Sequence, residues 1–196
     1  MAAELGLSVG TLRKALEDLE DRGLLDRRQG SGNYVRAGAE ARGVYAMFRL
    51  EPNEGGGLPT AQVLSVELLP KPLDAPEFGP APKAHRIRRL RRLGGTPAAL
   101  EEIWLDGGRA DSIRKEDLSE SLYLYYRHTL GFWIARAEDN ISVSTAPEWT
   151  AEPFGVAPGT TCGYIERIGR DQDGRAAEFS RTWFDTSVAR YVSRLR

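Results

Sequence analysis

Residues Thr11–Val35 read TLRKALEDLEDRGLLDRRQGSGNYV. Leu12, Ala15, Leu16 and Leu19 recur at helical spacing, which predicts a helix with one buried stripe. Gly23 stands where such a helix takes a left-handed C-terminal residue. Leu24–Leu25 then opens a strand, Gln29–Gly32 makes a turn, and Asn33–Val35 returns as the partner strand. Arg27 and Arg28 flank the tip of that hairpin, and its glycines remove side-chain bulk where a phosphate backbone would approach. Upstream, a short helix would end near Leu5, Gly6 supplies a tight turn, and Ser8 is placed to cap the next helix. The helical stripe alone also fits ordinary core packing. The full order of helix, tight turn, capped helix and basic glycine-rich hairpin reads as a winged helix-turn-helix.

Composition bounds what surrounds this module. The 196 residues carry a formal net charge of −1, so any surface that meets nucleic acid is positive only locally. Hydrophobic residues make up 41%, enough for a second, larger core. Cys162 is the single cysteine, which excludes an internal disulfide and a cysteine-rich zinc site. His85 and His128 are too few to build a histidine metal centre, and neither a metal nor a cofactor is expected. No apolar run has the length of a membrane span, and the opening segment is polar and acidic rather than a signal peptide. A soluble cytoplasmic protein with no membrane partner is the expectation.

Residues 37–56 lack strand alternation and a sustained apolar stripe, and are read as a linker leading to a domain over 57–196. Ala61–Leu68 reads as a strand. The larger domain then repeats itself: Pro76–Asp106 parallels Glu152–Asp185. Phe78-Gly79 matches Phe154-Gly155, Pro82 matches Pro158, and Arg91 matches Arg167, while Gly95, Trp104 and Asp106 match Gly174, Trp183 and Asp185. Each copy reads as strand, glycine turn and returning strand, with the second turn three residues longer, and the pair predicts one antiparallel sheet with pseudo-twofold symmetry.

Five arginines crowd into HRIRRLRRL, His85–Leu93. Strand alternation puts Arg89 and Arg91 on one face, and Glu101 and Glu178 lie on the returning strands of the two hairpins. Two guanidinium groups so placed form a clamp for an anion, and the carboxylates could accept hydroxyl or amine donors. A solvated charged face explains the same pattern. Ser121 is a natural N-cap for a short helix stopped by Gly131, with free backbone N–H groups at its start and Tyr123 offering a hydroxyl. An ordinary cap with packed tyrosines fits equally well. Phe132–Asp139 reads as a strand with Arg136 and Glu138 on one face, where a part in ligand recognition stays open and a surface ion pair is the expectation.

The stretch LGLSVGTLRKALEDLEDRGLLDRRQGSGNYV resembles the DNA-binding module of GntR-family transcription regulators. That resemblance implies a recognition helix starting at Ser8, with Thr11 and Arg13 facing DNA, Lys14 on phosphate, and Gly30 at the wing tip in the minor groove. Val9 departs from the family, which commonly has arginine there. The family module also begins with a helix and turn that would precede Met1, so residues 1–36 are expected to be an N-terminally shortened module. From about Gly57 onward the chain resembles the UTRA effector-binding domain of the HutC branch, which has a chorismate-lyase-like fold. Arg89-Leu90-Arg91, Pro97–Glu101, Ser121-Leu122-Tyr123 and Gly174–Arg181 carry the match. Members that sense amino-sugar phosphates place the matching arginines, serine and tyrosine around the phosphate, and the matching glutamates on the sugar. Phe184 departs from a tyrosine often found there, which removes a ligand-reaching hydroxyl.

The resemblance therefore implies an α+β protein, a partial winged helix-turn-helix followed by an antiparallel sheet with flanking helices. It implies a homodimeric regulator, a repressor that leaves a palindromic operator when a small anionic effector binds. Its DNA side would be Ser8, Thr11, Arg13, Lys14, Arg27, Arg28 and Gly30, and its effector side Arg89, Arg91, Glu101, Ser121, Tyr123 and Glu178. No catalytic residues are implied. Two other readings stay open: an effector-binding remnant without DNA binding, and a chorismate-lyase-like enzyme.

Overall fold

The computed structural model describes residues 6, 8–21, 25–28, 32–35, 47–54, 59–118 and 121–194. By contacts the chain divides into two compact units, Met1–Phe48 and Arg49–Arg196.

In the first unit, α1 spans Val9–Asp21. Ser8 caps it as expected: its Oγ accepts from the Thr11 amide at 3.1 Å, satisfying a donor that the helix itself leaves unused. Leu12 and Leu16 are half-buried, whereas Ala15, counted in the stripe, is exposed. Strands β1 (Leu25–Arg28) and β2 (Gly32–Val35) form the antiparallel hairpin. Its register pairs Leu25 with Val35 and Arg28 with Gly32, so Gly32 opens the returning strand instead of completing the turn. Gly23, Gly30 and most of the expected linker lie outside the described residues.

The second unit is built on one antiparallel sheet. Strands β4 (Pro59–Pro70), β5 (Lys83–Leu93), β6 (Thr96–Asp106), β7 (Ile134–Thr145), β8 (Thr161–Asp171) and β9 (Ala176–Phe184) take the order β4-β5-β6-β9-β8-β7. Within the span read as linker, β3 (Leu50–Pro52) pairs with β10 (Ala189–Tyr191), closing the ends of this unit on one another. Strand β7 starts two residues later than expected and runs past Asp139 to Thr145. Helix α2 spans Leu122–Thr129, capped by Ser121 and followed by Gly131 at φ +73°.

The strand order is what a duplicated three-stranded unit produces, β4-β5-β6 meeting β9-β8-β7 across an axis between β6 and β9. The shift that carries Trp104 onto Trp183 also carries Glu102 onto Arg181, its direct partner across that seam, so the axis passes between them. The hairpin registers correct two details of the repeat. Arg89 lies opposite Glu101 and Arg167 opposite Ser180, which makes Arg89, not Arg91, the counterpart of Arg167. Between equivalent strand positions the second connection is then one residue longer, not three. The three-residue figure came from carrying the offset of Phe78-Gly79 and Pro82 through the strand to Arg91, and cross-strand pairing overrides that match.

One face of the sheet carries two equivalent apolar clusters. Phe78, Ala84, Trp104 and Phe179, with Ile168 against them, answer to Phe154, Cys162, Trp183, Leu100 and Leu90. Each cluster is plugged by a phenylalanine from the loop that precedes its hairpin. Between them runs a row of alternating charges, Arg88–Glu102 at 2.8 Å and Arg181–Glu166 at 3.6 Å, in which the symmetry mates exchange sign. Gly79 shows how tightly the first loop is held: at φ +57°, a Cβ there would come within 2.1 Å of the Asp106 Cγ. Phe78 and Phe154 are 2% and 3% exposed, so each removes a full aromatic side chain from water. Phe78→Ala and Phe154→Ala are each expected to cost about 3–5 kcal/mol in urea unfolding followed by tryptophan fluorescence. A loss below about 1 kcal/mol at either position would contradict the paired-plug account.

Candidate functional site

Four of the N-terminal residues expected at DNA are accessible. Ser8, Thr11, Arg13 and Lys14 are exposed on the first turns of α1. Ser8 and Thr11 also share a hydroxyl contact of 2.8 Å, so the start of the helix is fixed by two side chains. Arg27 and Arg28 stand in β1 opposite Asn33 and Gly32. Gly30 lies outside the described residues.

The expected effector residues collect on the other face of the large sheet, away from the two apolar clusters. Arg89 and Arg91 are 4% and 5% exposed, which sets aside the solvated-face reading. Two buried guanidinium groups require a counter-charge, because an isolated buried ion costs far more than an exposed one. Glu101, opposite Arg89 on β6, supplies it. Its Oε2 lies 2.7 Å from Arg89 Nη2 and 3.1 Å from Arg91 Nη2, and its Oε1 accepts from Arg91 Nε at 3.3 Å. Burial pushes the Glu101 carboxyl up, but the charges of Arg89 and Arg91 outweigh it and hold the group below the usual carboxylate range.

Glu178 sits further along β9 with a different set of partners. It accepts from the Tyr123 hydroxyl at 3.2 Å and the Tyr126 hydroxyl at 2.6 Å, so α2 is fastened to the sheet by two phenols on one carboxylate. Burial raises its pKa, and the bond from Tyr126 and the charges of Arg167 and Arg89 only partly offset that. The influence of Arg89 joins this group electrostatically to the arginine pair. Ser121 caps α2, accepting from the Leu124 amide at 3.4 Å, two residues before Tyr123. Arg89, Arg91 and Glu101 are thus brought into direct contact, Tyr123 and Glu178 into a second contact, and Ser121 is placed at the helix start that bears Tyr123.

Four further residues, Tyr126, Arg167, Asp139 and Tyr191, join this face without having been expected there. Tyr126 follows Tyr123 by three positions, the spacing that places two side chains on one side of a helix. Arg167, the counterpart of Arg89, bonds Asp139 through Nε at 2.5 Å and Nη2 at 2.7 Å, and Tyr191 donates to the same carboxylate at 2.8 Å. The repeat had already marked Arg167, paired with the wrong arginine. Arg136 and Glu138 point to the opposite face, both exposed, and among the described residues neither makes an ion pair. A register shift between Ile134 and Arg136 interrupts regular pairing at that end of β7. Phe184 closes the row holding Arg91 and Ala99, and its ring lies over Gly163, where a Cβ would come within 2.2 Å of it. The wall there is apolar.

The direction of the Glu178 shift fixes a pH dependence. A carboxylate whose folded pKa is raised favours the folded state fully below its ordinary value of 4.5, and that advantage is lost as pH rises through the folded pKa. The melting temperature of Glu178→Gln minus that of the wild type should therefore become more positive from pH 5 to pH 8, as measured by calorimetry. A difference that stays flat or falls would contradict the assigned environment.

Residues 54–190 match the UTRA domain family, and residues 1–35 match the family of bacterial regulatory proteins named gntR. The HTH-type transcriptional regulator SmoD of Agrobacterium fabrum is 59% identical over 196 residues, spanning all of this chain and 84% of that protein. The mannosyl-D-glycerate transport/metabolism system repressor MngR of Escherichia coli is 27% identical over 202 residues, covering 98% of this chain and 82% of its own. Among solved structures, the ligand-binding domain of a Bordetella bronchiseptica chain assigned to the GntR family superposes with a TM-score of 0.65 at 25% identity, covering 76% of this chain and 96% of that one. With both of its parts matched in order, the chain belongs to the GntR family of bacterial transcriptional regulators, a helix-turn-helix module followed by a UTRA domain.

Proposed function

We propose that this regulator is a repressor, that it reads a palindromic operator as a homodimer, and that a small anionic metabolite binding to its UTRA domain releases it. The reading head is assigned to residues 1–36, the connection to 37–56 and the effector domain to 57–196. One observation carries the ligand class: Arg89 and Arg91, both buried, converge on a single carboxylate. Planar donor forks of this kind suit phosphate, phosphonate or carboxylate groups. Glu101 and Glu178 add acceptors for hydroxyl or amine groups beside the anion, while Phe184 offers no hydroxyl of its own. The relative MngR is named the repressor of a mannosyl-D-glycerate transport/metabolism system, and the carboxylate of a glycerate belongs to that class.

Release needs no new contact with DNA. It requires that the effector bind more tightly to a dimer geometry that misplaces the recognition helices, since a ligand indifferent to the two states shifts nothing. On the operator, Arg13 and Thr11 at the exposed start of α1 would meet base edges, with Lys14, Arg27 and Arg28 on phosphates.

Fluorescence anisotropy on DNA from upstream of the gene tests both halves. Arg13→Ala should weaken specific binding by about 1–3 kcal/mol, and Lys14→Ala should reduce the salt slope by about one. Arg91→Met should bind the operator like the wild type and fail to release it with any anionic sugar that releases the wild type. Binding no better than to random DNA, or release undiminished in Arg91→Met, would sink the proposal.

A further inference from the structure

A carboxylate of the protein occupies the position that suits a ligand's anion. Glu101 offers two oxygens to two guanidinium groups from adjacent places on β5, with contacts of 2.7, 3.1, 3.2 and 3.3 Å. That is the geometry a phosphate, phosphonate or carboxylate adopts in a paired-arginine site. The three side chains are buried together, so the fork is closed on a carboxylate of the protein itself. Glu178 does not share this role, because its partners are the neutral hydroxyls of Tyr123 and Tyr126.

We propose that Glu101 is an internal surrogate for the effector's anion, and that an incoming oxyanion binds by displacing it from Arg89 and Arg91. This rests on the reading of that face as the effector site. Exchange narrows the ligand class. The displaced carboxylate must find donors within reach, since a buried charge without them is costly. A ligand that carries hydroxyl or amino donors next to its acidic group supplies them itself, as a bare oxyanion does poorly. The effector is therefore a polyhydroxylated or amino-bearing oxyanion, in which the acidic group opens the fork and the neighbouring donors recapture Glu101. The same carboxylate serves as competitor before binding and as acceptor afterwards.

Calorimetric titration of the full chain with inorganic phosphate, at fixed ionic strength, separates the possibilities. Glu101→Gln removes the competing charge, and Glu101→Asp shortens the side chain so that it cannot span both arginines. Both should bind phosphate at least about tenfold more tightly than the wild type, and Arg91→Met should not bind it. Phosphate should also raise the melting temperature of Glu101→Gln by more than it raises that of the wild type, which a purely structural role would not produce. In the wild type, independently of any variant, the Glu101 carboxylate carbon should shift in ¹³C NMR as phosphate saturates the site. Equal or weaker phosphate binding in both Glu101 variants, with Arg91→Met still inactive, would overturn the surrogate role and leave the site standing. A Glu101 carbon that does not move at saturation would do the same. Phosphate binding by no form of the chain, or binding untouched by Arg91→Met, would overturn the site reading and the surrogate with it.

Discussion

Two guanidinium groups two residues apart on a strand are tolerated in a protein interior only with counter-charge and hydrogen-bond acceptors close by. Arg89, Arg91 and Glu101 meet that condition, and much of the second unit follows from it. The two arginines and the glutamate come from neighbouring strands joined by the Gly94–Gly95 turn, so a tight hairpin fixes their register. They share their face of the sheet with buried Ile87, Ile103 and Leu105, while the opposite face carries the two matched apolar clusters. There the phenylalanine plugs and tryptophans build the core twice. Helix α2 covers the polar face and is fastened through tyrosines, whose hydroxyls satisfy Glu178 without adding charge.

The duplicated architecture explains why the paired arginines occur in one half only. Arg89 and its counterpart Arg167 occupy the same place in the two hairpins, yet their partners differ. Arg89 faces Glu101 directly across the strand pair, while Arg167 faces Ser180 and is neutralised from the outer strand by Asp139. Arg91 has no counterpart, since the equivalent place is Gly169. Only the first hairpin therefore presents a double fork. On the opposite face the same divergence appears as exchanged charges, Arg88–Glu102 against Glu166–Arg181. Symmetry supplies the frame, and departures from it supply the chemistry.

Much of this was legible in the sequence, and the limits have physical causes. The Ser8 cap, the hairpin around the Arg27-Arg28 pair and the Ser121–Gly131 helix follow from local rules that need no tertiary information. The repeated motifs foretold two hairpins in one sheet, and alternation put Arg89 and Arg91 together. What failed depends on pairing between strands. The counterpart of Arg167 was misassigned because an offset carried from the preceding loop does not report register, and Gly32 proved to be strand because pairing continues one residue closer to the tip. The expected Arg136–Glu138 pair did not form, although two side chains on one face of a strand are near enough to invite it. Asp139, one residue away and on the buried face, carries the ion pair instead. Tyr126 went unnoticed beside Tyr123 because a short tyrosine-rich helix gives no sign of which hydroxyl finds a carboxylate.

The central claim is that the Arg89–Arg91 fork is an anion seat, and a crystal structure of the chain soaked with inorganic phosphate tests it most directly. The account predicts phosphate within hydrogen-bond distance of both arginines, on the face shared with Glu178, with the Glu101 carboxylate turned away from its present partners. An undisturbed Arg89–Arg91–Glu101 cluster, with phosphate bound elsewhere or nowhere, would contradict it.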